Sequence, residues 1–526
     1  MLANREIATP GKRYRVSAAD GARITREMAP QSPVLHTLAT GRIVVCAEAR
    51  VADNGDRRVR ISSPGGWMDA RDIEPASPLP PHGLDFETFL ERHRQVAPGD
   101  YYGLDFPFTM AMFLEFGPSF LTEAFRAAGT IAQDNAVTEI VELKSLGKMG
   151  ASENAFLTVA YAKPEPGLSE KLFAKFPPVE EQHKFGLSHM AHGEIAMHEF
   201  SRHAALPVPM AKYYYGEYSS RTTNYLLITE RIPFGEPPVE PAHLKGWDHL
   251  LPEVEDHYAV LARAQARLAA AHKTGTLGDD VEEVFPFARS ARYFRPIDDP
   301  GKQVDKLIDF VGRVAPQIFV EEGRDPAFLA RWREDLLYGL AHRDEVIAYL
   351  HGDVDYVSFC HPNLNPDNAW FWRDPAGELH AGLLDWGGAG QVSIAQALSG
   401  MLMMVDPERH LRIVRMVLDL FAEGYAAQGG PVLDRDELYL QYKASLFSTA
   451  LGTIVGMVVD LLPAFSEDDY RAMEDRFDRR LLESGLYAAI VWIDDMLREW
   501  HDDLTPADAC RIVVERVAAA DAVPAA

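Results

Sequence analysis

The sequence predicts an α+β chain in three parts: a short all-β unit, a small β-rich lobe and a large helical lobe. Three observations carry that expectation. Residues 12–74 alternate short Val-, Ile- and Arg-rich runs with Gly, Pro, Asp and Asn turns. Residues 136–240 read as strands interrupted by one helical stretch. From about residue 253 onward long helical patterns dominate, broken only by a strand–loop–strand region over 355–388. A chain of 526 residues exceeds what one hydrophobic core serves. The expected boundaries give parts at 1–80, 81–240 and 241–526.

In the first part the strand runs are Tyr14–Val16, Val34–Leu35, Arg42–Cys46 and Arg57–Ile61. The part closes in Gly65-Gly66-Trp67-Met68 and Ile73-Glu74-Pro75. That succession resembles bacterial SH3-like barrels, with Gly66-Trp67 matching their late Gly-Trp pair. The resemblance implies a small appendage that packs or binds a protein partner. Trp67 reads as a core aromatic before a peptide-groove platform. Pro75–His82 is a proline-rich, extended linker.

The pattern turns helical from Phe86 to Ala128, where Phe120, Leu121, Ala124, Phe125 and Ala128 mark an amphipathic helix over Ser119–Ala128. Thr138–Leu143 is an expected strand, Gly147–Glu153 a loop, Ala155–Tyr161 a returning strand and Leu172–Phe176 a third. Gly193–Ala205 is helical and Asn224–Arg231 strand-like. Ala444–Val459, between Lys443 and Asp460, is uncharged but falls short of the roughly 20 residues that span a bilayer. A buried core helix is expected there.

Composition narrows the function classes. With 47% hydrophobic and 25% charged residues the chain is an ordinary soluble globular protein. Its net charge of −26 argues against nucleic acid and anionic membranes as partners, since both need clustered cations. Cys46, Cys360 and Cys510 are far apart, with no CxxC spacing, so neither a disulfide framework nor a zinc knuckle is expected. The N-terminus lacks the apolar run of a secretory signal, and a reducing cytoplasm is the expected setting.

Several residues could carry chemistry. Gly147 and Gly150 sit between two strands, where missing side chains let backbone N–H groups approach phosphate. By itself such a pair reads as a hairpin turn. Lys175 alternates with Phe173 on one face of an apolar strand and needs a counter-ion, for which Glu194 is the natural residue and Glu199 the alternative. Asp385 ends an apolar strand before Gly387-Gly388, where a carboxylate is placed to hold a hard cation; Asn368 would add a neutral oxygen. Alone, the Asn365–Asn368 run reads as a β-turn and His361 as a structural histidine. Trp370 and Trp372 alternate on a strand, which favours core packing over a cation platform.

Taken in order, these residues resemble the aminoglycoside phosphotransferase and choline-kinase-like enzymes over about residues 100 to 480. The family's catalytic loop, His-Gly-Asp-x-x-x-x-Asn, and its later Asp-Trp correspond to His361-Pro362-Asn363-Leu364-Asn365-Pro366-Asp367-Asn368 and Asp385-Trp386. Leu172–Pro177 resembles the third-strand lysine motif. Glu194–His198, then Leu206-Pro207-Val208-Pro209, resemble the helix-C glutamate and downstream Pro-x-Pro. The resemblance implies a protein-kinase-like two-lobe fold, ATP and Mg2+ as cofactors, and a hydroxyl-bearing small molecule as substrate. It implies phosphate binding by Lys175, paired with Glu194 and covered by Gly147 and Gly150. Adenine would meet Ile228, Glu230 and Ile232, magnesium would meet Asn368 and Asp385, and His361, Asn363 and Asp367 would form the catalytic loop.

One residue departs from the pattern. Asn363 stands where the family has an aspartate that orients the substrate hydroxyl and takes its proton. An amide can hold a hydroxyl but cannot accept its proton at neutral pH. Asp367 is the nearby carboxylate that could substitute. His351-Gly352-Asp353 imitates the family triplet but runs into a strand without the later Asn, so it reads as a turn. Two readings lead, an ATP- and Mg2+-dependent phosphotransferase and a pseudokinase that binds nucleotide as a regulatory or scaffold protein; a third, a helical scaffold without nucleotide, leaves the buried Lys and Asp unexplained.

Overall fold

The Val-, Ile- and Arg-rich runs near the N-terminus pair as one antiparallel sheet in the computed structural model, which describes residues 8–52, 54–77, 83–149, 152–278, 280–290 and 297–521. The strands are β1 (Arg13–Val16), β2 (Ala22–Thr25), β3 (Val34–Leu38), β4 (Ile43–Val51), β5 (Arg57–Ile61), β6 (Gly66–Asp69) and β7 (Ile73–Pro75). They lie in the order β3-β2-β6-β5-β4-β1-β7. The sequence marked no strand at β2, a run of only four residues. Alternation sends Val16, Ile24, Val44, Cys46, Val59, Ile61 and Met68 into one buried cluster. Trp67 is half-buried and outside it. Residues 78–82 of the expected linker lie outside the described residues.

Contacts divide the chain into two units. One joins this sheet to Pro241–Ala381 and Gly390–Ala526; the other comprises Ser77–Glu240 and Gly382–Ala389.

In the second unit, α1 (Phe86–Arg92) is capped by Asp85, which accepts from the Thr88 N–H. Helix α2 (Met110–Ala127) is kinked at Gly117, whose φ of 66° precedes Pro118. The helix expected over 119–128 is the second half of that longer element. Five antiparallel strands follow: β8 (Val137–Met149), β9 (Ser152–Tyr161), β10 (Lys171–Phe176), β11 (Tyr213–Tyr218) and β12 (Tyr225–Glu230), in the order β11-β12-β10-β9-β8. The loop expected over 147–153 is instead a hairpin end, with pairing continued to Met149↔Ser152. Between β10 and β11 runs α3 (Glu181–Ser201), which starts well before the expected Gly193. Its first half carries Gln182, His183, Lys184, Ser188, His189 and His192, which blur the helical period. Leu172, Ala174 and Phe176 of β10 enter a core with Leu157, Ile228, Phe113, Leu121 and Phe125. Burial of each large apolar side chain stabilises by about 1.5–3 kcal/mol. That burial leaves Phe173 and Lys175 on the opposite face.

The rest of the first unit is mainly helical. Helix α4 (Val254–Lys273) is its longest described helix. Strand β13 (Val357–Cys360) pairs with β16 (Gly390–Ser393), and β14 (Ala369–Arg373) with β15 (Leu379–Leu383). The apolar run at 444–459 is not one helix: Arg435–Ser445 ends before Ala450–Gly456 begins. By length and composition Arg435–Ala464 could cross a membrane, yet 67% of its most apolar window is buried, as in a core segment. A β-rich set carrying one helix, followed by a helical set with a short strand–loop–strand insert, is the kinase-like α+β order of elements.

Candidate functional site

Lys175 lies on the central strand β10, opposite Asn154 of β9 and Leu227 of β12. Its Nζ is 2.6 Å from Glu194 Oε2 and 2.7 Å from Asp385 Oδ1. The lysine and Glu194 side chains are buried, 13% and 8% exposed, whereas that of Asp385 is 44% exposed. Glu199, the other counter-ion candidate, instead accepts from the Tyr102 and Tyr213 hydroxyls and pairs with Arg202 at 2.8 Å. Burial alone would favour a neutral amine at 175, but the charges of Asp385 and Glu194 outweigh it and raise the ammonium's pKa. Glu194 is pushed upward by burial and by Asp385, against the pull of Lys175. The three groups therefore share one ammonium between two acids.

Backbone packing sets that spacing. The Leu383 N–H donates to the Pro209 carbonyl at 3.0 Å, so the Pro-x-Pro segment anchors the strand end that carries Asp385. Trp386 is buried and its indole N–H donates to the Leu383 carbonyl at 3.2 Å. Asp385 itself is left-handed, with φ 56° and ψ 61°. That conformation costs a non-glycine residue about 1–3 kcal/mol, although a short acid tolerates it better than most. A Cβ on Gly193 would lie 2.7 Å from the Gly387 carbonyl oxygen, so only glycine lets α3 approach the turn after Asp385 this closely. The sequence marked Gly387 but not its partner, Gly193.

The other predicted nucleotide contacts fall unevenly. Gly147 has φ +75° with open space around it, and Gly150 lies outside the described residues. Ile228 is fully buried between Ala174 and Tyr215, so neighbouring strands cover both edges of β12 there. The Glu230 N–H donates to the Lys212 carbonyl at 2.8 Å. Ile232 follows the strand, half-buried, and its carbonyl accepts from the Phe234 N–H at 2.9 Å.

The loop from His361 to Asn368 belongs to the first unit and is held mostly by amides. His361 is 1% exposed. Its N–H donates to Gln265 Oε1 and its carbonyl accepts from Gln265 Nε2, each at 3.2 Å. Its Nδ1 accepts from the Asn363 N–H at 3.3 Å. The Asn363 carbonyl accepts from Asn368 Nδ2 at 2.7 Å, while Asn363 Oδ1 is buried with no hydrogen-bond partner among the described residues. Asn365 Nδ2 is shared by the carbonyls of Gly400, Met401 and Met403 at 3.0, 2.9 and 3.0 Å. Asp367 pairs with Lys245 at 3.4 Å. A Cβ on Gly400 would sit 1.7 Å from the Pro362 carbonyl oxygen, so the loop rests directly on backbone. Gln265, Lys245 and Gly400 carry no local sequence signal; only the fold brings them to the loop.

A magnesium ion takes hard oxygen ligands. The half-exposed carboxylate of Asp385 suits that need. Asn368, with its Nδ2 spent on the Asn363 carbonyl, has Oδ1 left to offer.

No family model matches the chain, and no curated protein matches it. Solved structures do. The chain is similar to aminoglycoside phosphotransferases and to choline and ethanolamine kinases. An aminoglycoside phosphotransferase from Streptomyces rimosus is 16% identical over 62% of this chain and 96% of that one, with a TM-score of 0.30. A choline/ethanolamine kinase family protein from Mesorhizobium loti is 12% identical over 72% and 97%, at 0.31. An ethanolamine kinase from Plasmodium vivax is 14% identical over 64% and 81%, at 0.34. At such TM-scores these stand as likeness alone, and the functional reading starts from the side chains.

Proposed function

We propose that the chain is a nucleotide- and Mg2+-dependent phosphotransferase acting on a hydroxyl of a small molecule. One observation carries the reading: a buried ammonium held at 2.6 and 2.7 Å by carboxylates from two separate segments, Glu194 and Asp385. Two acids around one ammonium leave an excess negative charge, which suits a site that receives a cation together with a polyphosphate.

In this reading Lys175 holds nucleotide phosphate and Glu194 keeps its ammonium aimed. Asp385 would hold the magnesium, which when bound neutralises charge on the phosphates, and Asn368, in the other unit, carries the neutral oxygen that the resemblance assigns to the same ion. Asn363 Oδ1, buried and without a partner among the described residues, accepts a hydrogen bond from the substrate hydroxyl and orients it. It cannot take the proton, and Asp367, tied to Lys245, is a poor replacement. Lost general-base help costs about 10²–10⁴ in rate, and a loose transition state tolerates that loss.

Asn363 itself favours a second reading, nucleotide binding without transfer. Titration of the full chain with Mg-ATP and Mg-GTP, plus ADP or GDP release over a panel of hydroxyl acceptors, separates the two. Expected are metal-dependent binding and acceptor-dependent turnover, both lost in Asp385→Ala. Binding without turnover on any acceptor supports the second reading. Failure of the wild type to bind nucleotide at all sinks both.

A further inference from the structure

We propose that the N-terminal sheet positions the His361–Asn368 loop, with Arg13 and Ser63 as its positioning residues. Its catalytic meaning rests on the functional reading above; its geometry does not.

Two paths run from the sheet to β13, the strand that leads into the loop. The first starts at Arg13 on β1. Its Nε donates to Glu282 Oε1 at 2.7 Å, in a pair whose side chains are 13% and 9% exposed. Glu282 Oε2 accepts from Gln391 Nε2 at 2.6 Å and from the Phe287 N–H at 3.0 Å. Gln391 lies on β16, directly opposite Phe359 of β13.

The second path starts at the turn between β5 and β6. Ser63 Oγ donates to the His272 carbonyl at 2.6 Å, and the Gly65 N–H to the Lys273 carbonyl at 2.9 Å. These are carbonyls of the last turn of α4, and that of His272 also accepts from the Gly275 N–H at 3.0 Å. Side chains from that end of α4 reach β13 in turn. His272 Nδ1 accepts from the Phe359 N–H at 3.2 Å, and Lys273 Nζ donates to the Val354 carbonyl at 2.7 Å. Earlier on the same helix, Gln265 clamps His361 from both sides. Between the paths lies an apolar cluster of Val45 from β4 with Phe287, Val354 and Val357.

Both paths converge on residues 358–361, immediately before Asn363. A module that merely hung from the chain to recruit a partner would have no use for a buried charged pair at its base. Desolvating such a pair is expensive, and it holds only while its geometry is kept.

The test is made on the full chain, with Arg13→Ala, Ser63→Ala and the conservative Arg13→Lys, by amide hydrogen exchange and steady-state kinetics. Cutting the Arg13–Glu282 pair is expected to speed exchange of the Phe359 and His361 amides about tenfold while β8–β10 stay as in wild type. With a competent acceptor, kcat falls by a similar factor, nucleotide affinity is unchanged, and Arg13→Lys recovers most of both signals. Ser63→Ala, the milder change, should act in the same direction and keeps the test open should Arg13→Ala fail to fold. Wild-type exchange at 358–361 in these variants overturns the proposal, as does acceleration spread evenly over the chain. Exchange needs no turnover, so an inactive wild type would defeat the functional reading and leave this one standing or falling by itself.

Discussion

Lys175 is gripped by two carboxylates, whereas Asn363 and its loop are gripped by amides and backbone groups. The first arrangement is made of charge, which acts over distance and with little regard to angle. The second is made of hydrogen bonds, which weaken steeply when bent or stretched. The difference bears on what each set can do. An ammonium between two acids can trade one of them for a phosphate without being rebuilt. An amide network with Asn365 shared among three carbonyls has one geometry and holds it. One set is suited to exchanging partners and the other to keeping a shape.

The strongest way to break that contrast is to put charge into the amide loop. Asn363→Asp restores a proton acceptor where the orphaned Oδ1 now sits. If the missing base limits the rate, kcat should rise about 10²-fold or more at neutral pH, with nucleotide affinity little changed. Turnover with a single good acceptor, measured for both forms, checks it. An unchanged rate would mean that something other than the proton acceptor is limiting.

How much of this was legible in the sequence follows the same division. Lys175 and Asp385 announced themselves through local pattern: a cation alternating within an apolar strand, and an acid ending one before paired glycines. Charge at an apolar position is a loud signal because it is costly unless paired. Glu194 was the favoured counter-ion and Glu199 the alternative; both lie on one helix, and packing turns Glu199 toward Tyr102 and Tyr213. The loop's supports were silent. Gln265, Lys245 and Gly400 are ordinary helix or loop residues whose role depends on contacts remote in sequence. Gly147 drew attention as a loop residue, but it pairs with Asn154 and the strand runs on to Met149, while Gly150 lies outside the described residues. Short β2, Ala22–Thr25, was missed.

A smaller effect is expected where the amide clamp is removed without adding charge. Asn365 is 2% exposed, and its side-chain N–H groups are the donors recorded to the Gly400, Met401 and Met403 carbonyls. In Asn365→Ala those buried acceptors lose that donor, at a cost of about 3–4 kcal/mol. Urea unfolding should show it, with Asn365→Asp failing to rescue because a carboxylate donates nothing at neutral pH. A loss below about 1 kcal/mol would mean that water takes over the clamp.

The contrast sharpens at Lys184, nine residues along the chain from Lys175 and also buried. It meets no carboxylate among the described residues: Nζ donates to the His93 carbonyl at 2.8 Å and to Asn224 Oδ1, and it lies 5.0 Å from the centre of the Phe108 ring. Burial therefore wins, and its pKa falls from 10.5 to about 8 although Glu181 pulls the other way. Between those values the unfolded chain binds a proton that the folded chain has released, so stability must rise with pH across that window and stay flat below it. The rise amounts to no more than about 3 kcal/mol. Lys184→Met should abolish it, so that wild type gains stability relative to the variant as pH rises. Denaturant midpoints for both forms between about pH 7.5 and 10.5 decide the matter. A difference independent of pH would show that Lys184 keeps its proton, with the carbonyl, the amide and the ring compensating burial as fully as two acids do at Lys175.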